Sequence, residues 1–596
     1  MAGLATGVTL PRMNTADVMV ERLAAWGVDV VFGLPGDGIN GIMEALRVRR
    51  DRIRFVQVRH EEAAAFAACA WAKFTGRLGV CLATSGPGAI HLLNGLYDAK
   101  MDKAPVLALT GQTYHDLIGM DYQQEVDLPT LFKDVACFDH HVNGAKHVRS
   151  LVDRACRTAL SLRGVAHLTT PVDIQEQACS ADEVGEKFVP GHTSAAWTPP
   201  VVVPPEVEVG RAAQVLNAGT RTVILAGAGA RGAGDELERL AETLAAPIVK
   251  PLLGKDVVPD DSPWTTGGIG LLGTLPSEKA LEDCDTLLMV GTSFPYMEFL
   301  PKPGSARGVQ IDIDPTRLGL RYPVEVGLVG DARATLQLLL PKLRRREDRS
   351  FLERAQAGMK DWWELMDARA TRESVPLKPQ MVAAELDRLL ADDAIVTTDS
   401  GTITTWVARH VRIKRGQRFS CSGNLATMAP GLPYAVAAQI AYPSRQVVAF
   451  VGDGGFTMLM GELATAVKYE LPITVVVIKN NTLGQIKWEQ MVFLGNPEYG
   501  VDLQPIDFVR YAEAVGAVGV RCERPNEVRP AIAEALAARR PAIVEAVVDP
   551  FEPPMPARAT LRQALHFAEA LARGEPSRVR IALTLFRDKW MDLTGT

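Results

Sequence analysis

Side chains that could hold a divalent cation follow two strand-like runs late in the chain. The apolar, β-branched run Gln446–Val451 predicts a buried parallel strand, and a Gly-Asp-Gly-Gly turn at 452–455 follows it directly. Helix-forming residues run from Met458 to Tyr469, and a second strand-like run, Ile473–Ile478, ends at Asn480. This order predicts a strand–helix–strand unit with a carboxylate after the first strand and an amide after the second.

Both strand ends are expected at the same edge of one parallel sheet, because the crossover between parallel strands is right-handed. Asp453 and Asn480 should therefore converge, with the backbone carbonyl of Thr482 close by. These oxygen atoms are ligands typical of Mg²⁺, an ion that keeps open positions for phosphate groups. The glycines of the turn would allow backbone N–H groups to approach the same diphosphate at a helix N-terminus.

The elements that position this edge are predicted from alternating strand-like and helical segments, which are typical of α/β domains with doubly wound parallel sheets. The three predicted domains are residues 12–180, 209–343 and 379–549. A proline-rich linker is predicted at 181–208 and a charged helical connection at 344–378. The tail, 551–596, is predicted to contain two helical stretches.

Composition argues against several classes of function. The 596 residues, 47% of them hydrophobic, suffice for three or four domains with large cores. A net charge of −6 without a basic block gives no support to nucleic-acid binding. The eight cysteines form no C-x-x-C pair, which argues against a zinc site or a disulfide framework. Because the sequence shows no signal peptide and no apolar run of about 18 residues, we expect a soluble cytoplasmic protein.

Further motifs are spread along the chain in addition to the Gly-Asp-Gly and Asn-Asn turns. They are VFGLPGDG (31–38), RHEEAAAFAA (59–68), TSGPGAIHLLNGLYDA (84–99), QQEVD (123–127) and NLATMAPGLPYA (424–435). Together they resemble the thiamine-diphosphate (ThDP)-dependent pyruvate oxidase/acetolactate synthase superfamily over nearly the whole chain. In the middle domain, four segments resemble the flavin-binding segments of pyruvate oxidases, especially those of the pyruvate dehydrogenase (quinone) type. These are GLLGT (270–274), GTSFPY (291–296), QIDIDP (310–315) and LVGDA (328–332).

The resemblance implies a pyrimidine-binding domain, a middle domain of the FAD-binding type and a domain that binds diphosphate and Mg²⁺. It implies oxidative decarboxylation of a 2-oxo acid, with pyruvate giving acetate and CO₂ and electrons passing through FAD to a quinone. It also implies a homo-oligomer, a dimer or a tetramer, with the cofactor between the first domain of one subunit and the third domain of another. Two alternatives stay open: a carboligase that condenses two 2-oxo acids, and a ThDP-binding assembly protein with little turnover.

The catalytic prediction rests on the chemistry of thiamine, whose C2–H is a poor acid. A carboxyl that hydrogen-bonds the pyrimidine ring stabilises the imino form, which then removes the C2 proton. Pattern alone makes Glu61 and Glu62 equally plausible for this carboxyl, and the resemblance selects Glu61. Gln124 matches the family's active-site glutamine. Glu489 matches an active-site glutamate of pyruvate oxidases, with a solvated helix charge as the alternative.

Two positions depart from the family's pattern. Gln123 stands where the family usually has phenylalanine, which makes the predicted pocket more polar. Gln485 replaces an aromatic residue that the oxidases use in handling the flavin and the intermediate, so the sequence supports ThDP chemistry more strongly than electron transfer. Trp488 could either line the substrate pocket or anchor the core.

The resemblance also places residues around two cofactors. Met428 is expected as a wedge between the thiazolium and pyrimidine rings, with an ordinary core methionine as the alternative. The residues expected around ThDP are Gly36, Glu61, Gly86, Pro87, Ala426, Thr427, Met428, Gly452, Asp453, Gly454, Gly455, Asn480, Thr482, Leu483 and Gly484. Of these, Asp453, Asn480 and Thr482 are expected to hold Mg²⁺.

The residues expected around FAD are Gly227, Gly229, Gly270, Leu271, Thr292, Phe294, Asp312 and Asp331. A glycine-rich turn after one strand and an aspartate at the end of another are typical of nucleotide binding. The alternative is a middle domain that packs without flavin.

The end of the tail predicts an amphipathic helix. Its apolar face carries Val579, Leu583, Phe586, Trp590 and Leu593. Such a segment can lie in a membrane surface, as the quinone-linked oxidases use theirs, or dock on its own protein. Peripheral contact with the inner face of the membrane is therefore one of two expectations for this helix.

Overall fold

The computed structural model describes residues 13–179, 187, 189, 191–554, 561–575, 579 and 581. The chain packs as two compact units. The first consists of the described parts of Met1–Pro199, with Asn424–Pro443 and Leu459–Leu471. The second consists of Pro200–Gly423, Ser444–Met458 and the described parts of Pro472–Thr596. Two segments of the third predicted domain therefore belong to the first unit.

The first unit contains a six-stranded parallel sheet in the order β2-β1-β3-β4-β6-β5. Its strands are β1 Val30–Gly33, β2 Arg54–Gln57, β3 Gly79–Ala83, β4 Val106–Gln112, β5 Ala136–His141 and β6 Val165–Pro171. The helices that precede, connect and follow these strands are α1 Thr15–Ala25, α2 Asn40–Val48, α3 Glu61–Thr75, α4 Pro87–His91, α5 Leu93–Met101, α6 Leu128–Phe132, α7 Ala145–Leu162 and α8 Val172–Glu176. The alanine-rich α3 is buried along almost its whole length, because its small side chains allow β3 and α5 to approach closely.

The second unit contains two more six-stranded parallel sheets. The middle sheet has the order β12-β11-β10-β7-β8-β9. Its strands are β7 Thr222–Ala226, β8 Ile248–Lys250, β9 Thr265–Gly268, β10 Thr286–Val290, β11 Arg307–Asp312 and β12 Val326–Val329. The helices of this region are α9 Glu206–Ala218, α10 Gly234–Leu244, α11 Leu275–Asp283, α12 Ala332–Leu339 and α13 Ser350–Thr371.

The third sheet has the order β14-β13-β15-β16-β18-β17 and is also parallel. Its strands are β13 Ile395–Thr398, β14 Arg418–Cys421, β15 Val447–Gly452, β16 Ile473–Lys479, β17 Val518–Cys522 and β18 Ala542–Val547. The helices from residue 379 onward that the structure describes in full are α14 Pro379–Leu389, α15 Thr402–His410, α16 Gly431–Ala441, α17 Asp453–Met458, α18 Glu462–Lys468, α19 Gly484–Trp488, α20 Phe508–Val515, α21 Pro525–Ala537 and α22 Leu561–Ala572. A π-helical turn, Glu489–Phe493, follows α19. The prediction of three parallel α/β sheets is confirmed.

Some predicted boundaries are wrong. The continuous helix expected from Met458 to Tyr469 is two helices, α17 and α18, because Gly461 interrupts the run and precedes α18 as its N-cap. Helix α17 begins directly at Asp453, where only a turn was expected. The linker predicted to reach residue 208 ends earlier, since α9 begins at Glu206.

A buried ionic cluster in the first unit joins α3, α5 and α16. Lys73 Nζ donates to Asp102 Oδ2 at 2.7 Å and to the Tyr434 hydroxyl oxygen at 2.6 Å, and that hydroxyl donates to Asp98. The side chains of Asp98 and Tyr434 are fully buried. Burial acts to lower the pKa of Lys73, yet the two carboxylates hold it above its ordinary value. The cluster therefore fixes the segment after residue 423 to the helix that begins at Glu61.

We expect Tyr434→Phe to lower the free energy of unfolding by about 2–4 kcal/mol, because Lys73 and Asp98 each lose a partner in a dry environment. Tyr442→Phe is the matched control, since its hydroxyl donates to the neutral carbonyl of Phe74 at 2.7 Å. That change should cost about 1 kcal/mol. Denaturant unfolding of both variants measures the difference, and equal losses would contradict a special role for the charged cluster.

Candidate functional site

The edge of the third sheet brings Asp453 and Asn480 together. Gly452 at the end of β15 lies opposite Ile478 of β16, so both chains turn at the same level. Asp453 Oδ2 accepts hydrogen bonds from the backbone N–H groups of Asn480 (3.1 Å) and Asn481 (2.6 Å). Its Oδ1 accepts from the N–H of Gly454 at 2.9 Å. The carboxylate thus ties together the two turns that carry the candidate metal ligands.

The environment of this carboxylate favours a cation. Asp453 is 5% exposed, and burial raises its pKa to about 6 although three backbone N–H groups act in the opposite direction. Asn480 Oδ1 accepts from the N–H of Thr482, and the Thr482 carbonyl accepts from Gly484, so each oxygen keeps a second lone pair. The hydroxyl of Thr482 is buried and has no hydrogen-bond partner among the described residues. These donor atoms fit Mg²⁺ and a diphosphate.

Two glycines shape this edge differently. A Cβ atom at Gly455 would lie 2.2 Å from Asp399 Oδ2, whereas a Cβ at Gly452 would meet nothing within 4 Å. Asp399 is 1% exposed and follows β13, the neighbour of β15. Sequence reasoning missed Asp399, although a carboxylate directly after a strand-like run was a usable signal. Leu483 is held at the end of the same turn, where its N–H donates to the carbonyl of Val501 at 2.8 Å.

A second cluster, in the first unit, surrounds Glu61 at the start of α3. Glu61 is 5% exposed, and its Oε2 is 2.9 Å from Nδ1 of His91. A Cβ atom at Gly88 would lie 3.1 Å from Glu61 Oε1, so the glycine keeps this side of the carboxylate open. Glu62 faces elsewhere and accepts from the side-chain amide of Asn94 at 2.7 Å. The two glutamates that pattern could not separate therefore have different surroundings.

His91 was not among the predicted site residues, and the structure places it directly on Glu61. Its ring also stacks on that of His60, with centroids 4.4 Å apart. His60 caps α3, since its Nδ1 accepts from the N–H of Glu62 at 3.2 Å. Periodicity offered no signal for either histidine, because their contacts depend on how α4 returns to α3.

The glycine turn before α4 contacts the predicted glutamine. The hydroxyl of Ser85 donates to Gln124 Oε1 at 2.8 Å. Gly86 has φ +59°, and a Cβ there would lie 2.8 Å from the carbonyl oxygen of Gln124. Gln124 itself has φ +62°, which is unusual for a residue with a side chain and is typical of functional sites. Pro87 opens α4, while a Cβ at Gly36 would collide with Thr84.

The loop that precedes α16 also carries uncommon backbone angles. Ala426 has φ +55° and Ala429 has φ +84°. Between them, the Thr427 hydroxyl accepts from the amide of Asn94 at 3.2 Å and donates to the carbonyl of Met428 at 3.0 Å. Met428 is half-buried, and both its predicted role as a wedge between the cofactor rings and the alternative of a core methionine stay predictions. The loop is therefore held in a defined, strained shape with the methionine partly accessible.

A pocket of about 40 Å³ lies within the second unit, next to α19 and the π-helical turn. Its lining residues are Leu271, Leu272, Thr405, Gln485, Trp488, Glu489, Val492, Phe493, Pro553 and Pro554. Gln485 Nε2 donates to Glu489 Oε1 at 2.9 Å, which gives an otherwise apolar pocket one polar wall. Trp488 lines this pocket and also packs with Met491 and with Phe567, which lies on α22. Whether the pocket binds the substrate stays a prediction.

The predicted flavin residues mostly have local structural partners. Gly227 and Gly229 are needed because a Cβ on either would lie within 3 Å of Gly291. Asp331 caps α12 by accepting from the N–H of Ala334 at 2.9 Å. Asp312 accepts from the N–H of Asp314 at 3.0 Å, and burial raises its pKa.

The remaining residues predicted to bind flavin are Gly270, Leu271, Thr292 and Phe294. The Thr292 hydroxyl accepts from the N–H of Phe294, whose ring would lie 3.2 Å from a Cβ on Gly270. Leu271 is the one predicted flavin residue that lines the pocket. These contacts are compatible with flavin, yet the chain's own packing explains most of them.

No helix among the described residues is long and apolar enough to cross a bilayer. Of the amphipathic face predicted in the tail, Val579 is exposed. Leu583, Phe586, Trp590 and Leu593 lie outside the described residues. The preceding helix, α22, packs against the π-helical turn that carries Glu489.

Three family models match the chain. They are the thiamine pyrophosphate enzyme N-terminal TPP binding domain over residues 13–131, the central domain over 209–339 and the C-terminal TPP binding domain over 399–546. A Bacillus subtilis protein, provisionally named a thiamine pyrophosphate-containing protein, is 44% identical over 94% of this chain and 96% of its own.

Two further relatives have named activities. The pyruvate oxidase of Lactiplantibacillus plantarum is 37% identical over 89% of this chain and 88% of its own. The acetolactate synthase isozyme 3 large subunit of Escherichia coli is 33% identical over 88% and 92%. With these matches and the two carboxylate-centred clusters, the chain belongs to the thiamine pyrophosphate enzyme family.

Proposed function

We propose that the protein catalyses ThDP- and Mg²⁺-dependent oxidative decarboxylation of a 2-oxo acid, with pyruvate converted to acetate and CO₂. The observation that carries this proposal is the convergence of Asp453, Asn480 and Thr482 at one sheet edge. The similarity to a pyruvate oxidase over most of both chains supports the substrate class. Water supplies the second oxygen of acetate, and FAD, if held by the middle domain, would take up the two electrons that a quinone then removes.

The residues at the sheet edge hold the cofactor's charged end. Asp453 and Asn480 offer a carboxylate and an amide oxygen to Mg²⁺, and Thr482 adds its carbonyl. Gly452 leaves room for a diphosphate, because no atom fills the space a side chain would need. The ionised Asp453 is stabilised by the cation, which offsets the cost of burying its charge.

The cluster around Glu61 controls a proton. Thiamine diphosphate, when bound, supplies an electron sink that allows CO₂ to leave a 2-oxo acid. The carboxyl of Glu61 holds a proton at the pyrimidine ring, and His91 fixes that carboxyl at 2.9 Å. Gln124 and the Gly86 turn orient the substrate from the same unit. Glu61 and Asp453 serve one cofactor from different chains of a homo-oligomer.

The pocket beside α19 would receive the substrate's side chain and, if FAD is bound, the edge of the flavin. Gln485 and Glu489 provide its polar wall, while Leu271 and Trp488 provide apolar contact. In the middle domain, Gly227, Gly229, Thr292, Asp312 and Asp331 would hold FAD. Peripheral contact of the protein with a membrane surface would give it access to a lipid-soluble quinone.

A carboligase is the second candidate. In that reaction a second 2-oxo acid takes the place of the electron acceptor. Gln485 stands where the oxidases have an aromatic residue, and acetolactate synthases align over most of the chain. A third reading, an assembly protein with little turnover, is disfavoured by the intact Glu61, Asp453 and Asn480.

The proposed reaction predicts that CO₂ release from pyruvate requires an electron acceptor. We expect acetate as the product, a flavin absorption spectrum in the purified protein, and reduction of a soluble quinone in step with CO₂ release. The products are measured anaerobically with and without the quinone. Acetolactate formed without any acceptor would instead establish the carboligase.

Glu61→Gln should lower the rate of CO₂ release by about 10²–10⁴-fold, because an amide cannot exchange the proton at the pyrimidine ring. Glu62→Gln is the matched control, since its carboxylate accepts from Asn94 and has no assigned part in the reaction. That variant should keep most of the activity. Near-normal turnover of Glu61→Gln would remove the assignment.

Asp453→Asn should weaken Mg²⁺-dependent binding of thiamine diphosphate by roughly 100-fold, because the charged ligand is lost. Binding is measured by titrating protein stripped of cofactor, at fixed Mg²⁺, and following tryptophan fluorescence. Asp502→Asn, an exposed change in the same region, should bind like the wild type. Equal affinities for all three proteins would place the diphosphate elsewhere.

A further inference from the structure

A buried carboxyl at the start of α18 contacts the backbone just before Glu61. Glu462 is 2% exposed, and its Oε1 accepts hydrogen bonds from the N–H groups of Arg59 (2.9 Å) and His60 (3.1 Å). Its Oε2 accepts from the hydroxyl of Thr465 at 2.7 Å. All these residues belong to the first unit, and the reaction described above leaves Glu462 unused.

The two backbone hydrogen bonds hold the turn that presents Glu61. Arg59 and His60 connect β2 to α3, and Glu61 is the first residue of that helix. The Cα–Cβ bond of a helical residue has a fixed direction relative to its backbone, so a change in the turn would re-aim the side chain. Glu462 thus acts on the backbone end of Glu61, while His91 holds the carboxyl end.

We propose that Glu462 is a positioning residue, which fixes the Arg59–His60 turn through two backbone hydrogen bonds and thereby aims Glu61 at the pyrimidine ring. This inference rests on the proposed function, in which Glu61 makes that contact. A glutamine at 462 could form the same bonds, because its oxygen accepts from both N–H groups and its amide reaches Thr465. The charge of Glu462 is therefore the added feature, since charge-assisted hydrogen bonds are about twice as strong as neutral ones.

Glu462 changes its charge close to neutral pH. Burial raises its pKa from 4.5 to about 7, against the opposing effect of Thr465 and of the two backbone N–H groups. Arg59 also favours the ionised form. The charged and titratable groups on the elements around it are Arg59, His60 and Glu61 at the approach to α3, Tyr434 on α16, and Lys468 on α18. Its hold on the turn should therefore strengthen as the pH rises through about 7.

The first test uses the full chain without cofactor and compares melting temperature against pH for the wild type, Glu462→Gln and the control Glu470→Gln. Between pH 4.5 and about 7, folded Glu462 keeps a proton that the unfolded chain has lost. Its contribution to stability is therefore present below this window and is lost as the pH rises through it. We expect Glu462→Gln to lack this fall, and Glu470, which is exposed, to leave the profile unchanged.

The second test measures the affinity for thiamine diphosphate at fixed Mg²⁺ by tryptophan fluorescence across the same pH range. The wild type should bind more tightly as the pH rises through about 7. Glu462→Gln should show no such step and should bind about tenfold more weakly above it, because it lacks the charge-assisted bonds. Turnover of Glu462→Gln should fall below that of the wild type above pH about 7, where the wild-type carboxyl is ionised.

Parallel wild-type and Glu462→Gln profiles in both tests would overturn the proposal. If Glu462→Gln does not fold, Thr465→Val replaces it. The Thr465 hydroxyl lowers the pKa of Glu462, so its removal should move the pH step to a higher pH. A step that stays at the same pH would contradict the assignment of the step to Glu462. The proposed function fails separately, if the wild type releases no CO₂ or Glu61→Gln stays active, whatever the Glu462 variants do.

Discussion

One buried carboxylate, Asp453, holds two turns of a parallel sheet in contact, and the rest of the site depends on that contact. Burying a charge is costly unless hydrogen bonds and an opposite charge offset the lost hydration. Three backbone N–H groups supply the hydrogen bonds, yet burial still raises the pKa of Asp453 to about 6. The remaining cost is what a divalent cation removes, so the same burial that destabilises the free carboxylate favours a metal ion beside it.

The first unit also depends on buried carboxylates that distant parts of the chain hold in place. Glu61 and Glu462 are buried carboxylates at the first residues of helices α3 and α18, and each contacts groups from another part of the chain. The buried cluster of Lys73 and Tyr434 fixes α16, which continues the loop of Met428, to the helix that carries Glu61. Ala426 and Gln124 keep positive φ angles, which are unfavourable for residues with a side chain, because the surrounding contacts hold the backbone in place.

Local patterns in the sequence were sufficient for the sheets and for the sheet edge, because buried parallel strands are continuous apolar runs. The start of α17 at Asp453 could not be predicted from local patterns, because the two glycines that follow are poor helix formers. The hydrogen bond from the N–H of Asn481 to the Asp453 carboxylate, which fixes this turn, joins residues far apart in sequence. The roles of His91 and Glu462 were also hidden. Their partners lie 30 and more than 400 residues away, and no periodicity encodes such contacts.

In the middle sheet the sequence matches the family's flavin-binding pattern, but the matching residues also have structural roles within the chain. Gly227 and Gly229 are explained by the close approach of Gly291, and Asp331 by its cap on α12. The pocket lined by Leu271, Gln485 and Glu489 is therefore the better place to distinguish an oxidase from a carboligase. An oxidase must bring a flavin edge close to the reacting carbon, whereas a carboligase must leave room for a second, charged substrate. The hydrogen-bonded pair of Gln485 and Glu489 makes one wall of the pocket polar. A flavin or a second 2-oxo acid bound there must therefore offer polar groups to this pair.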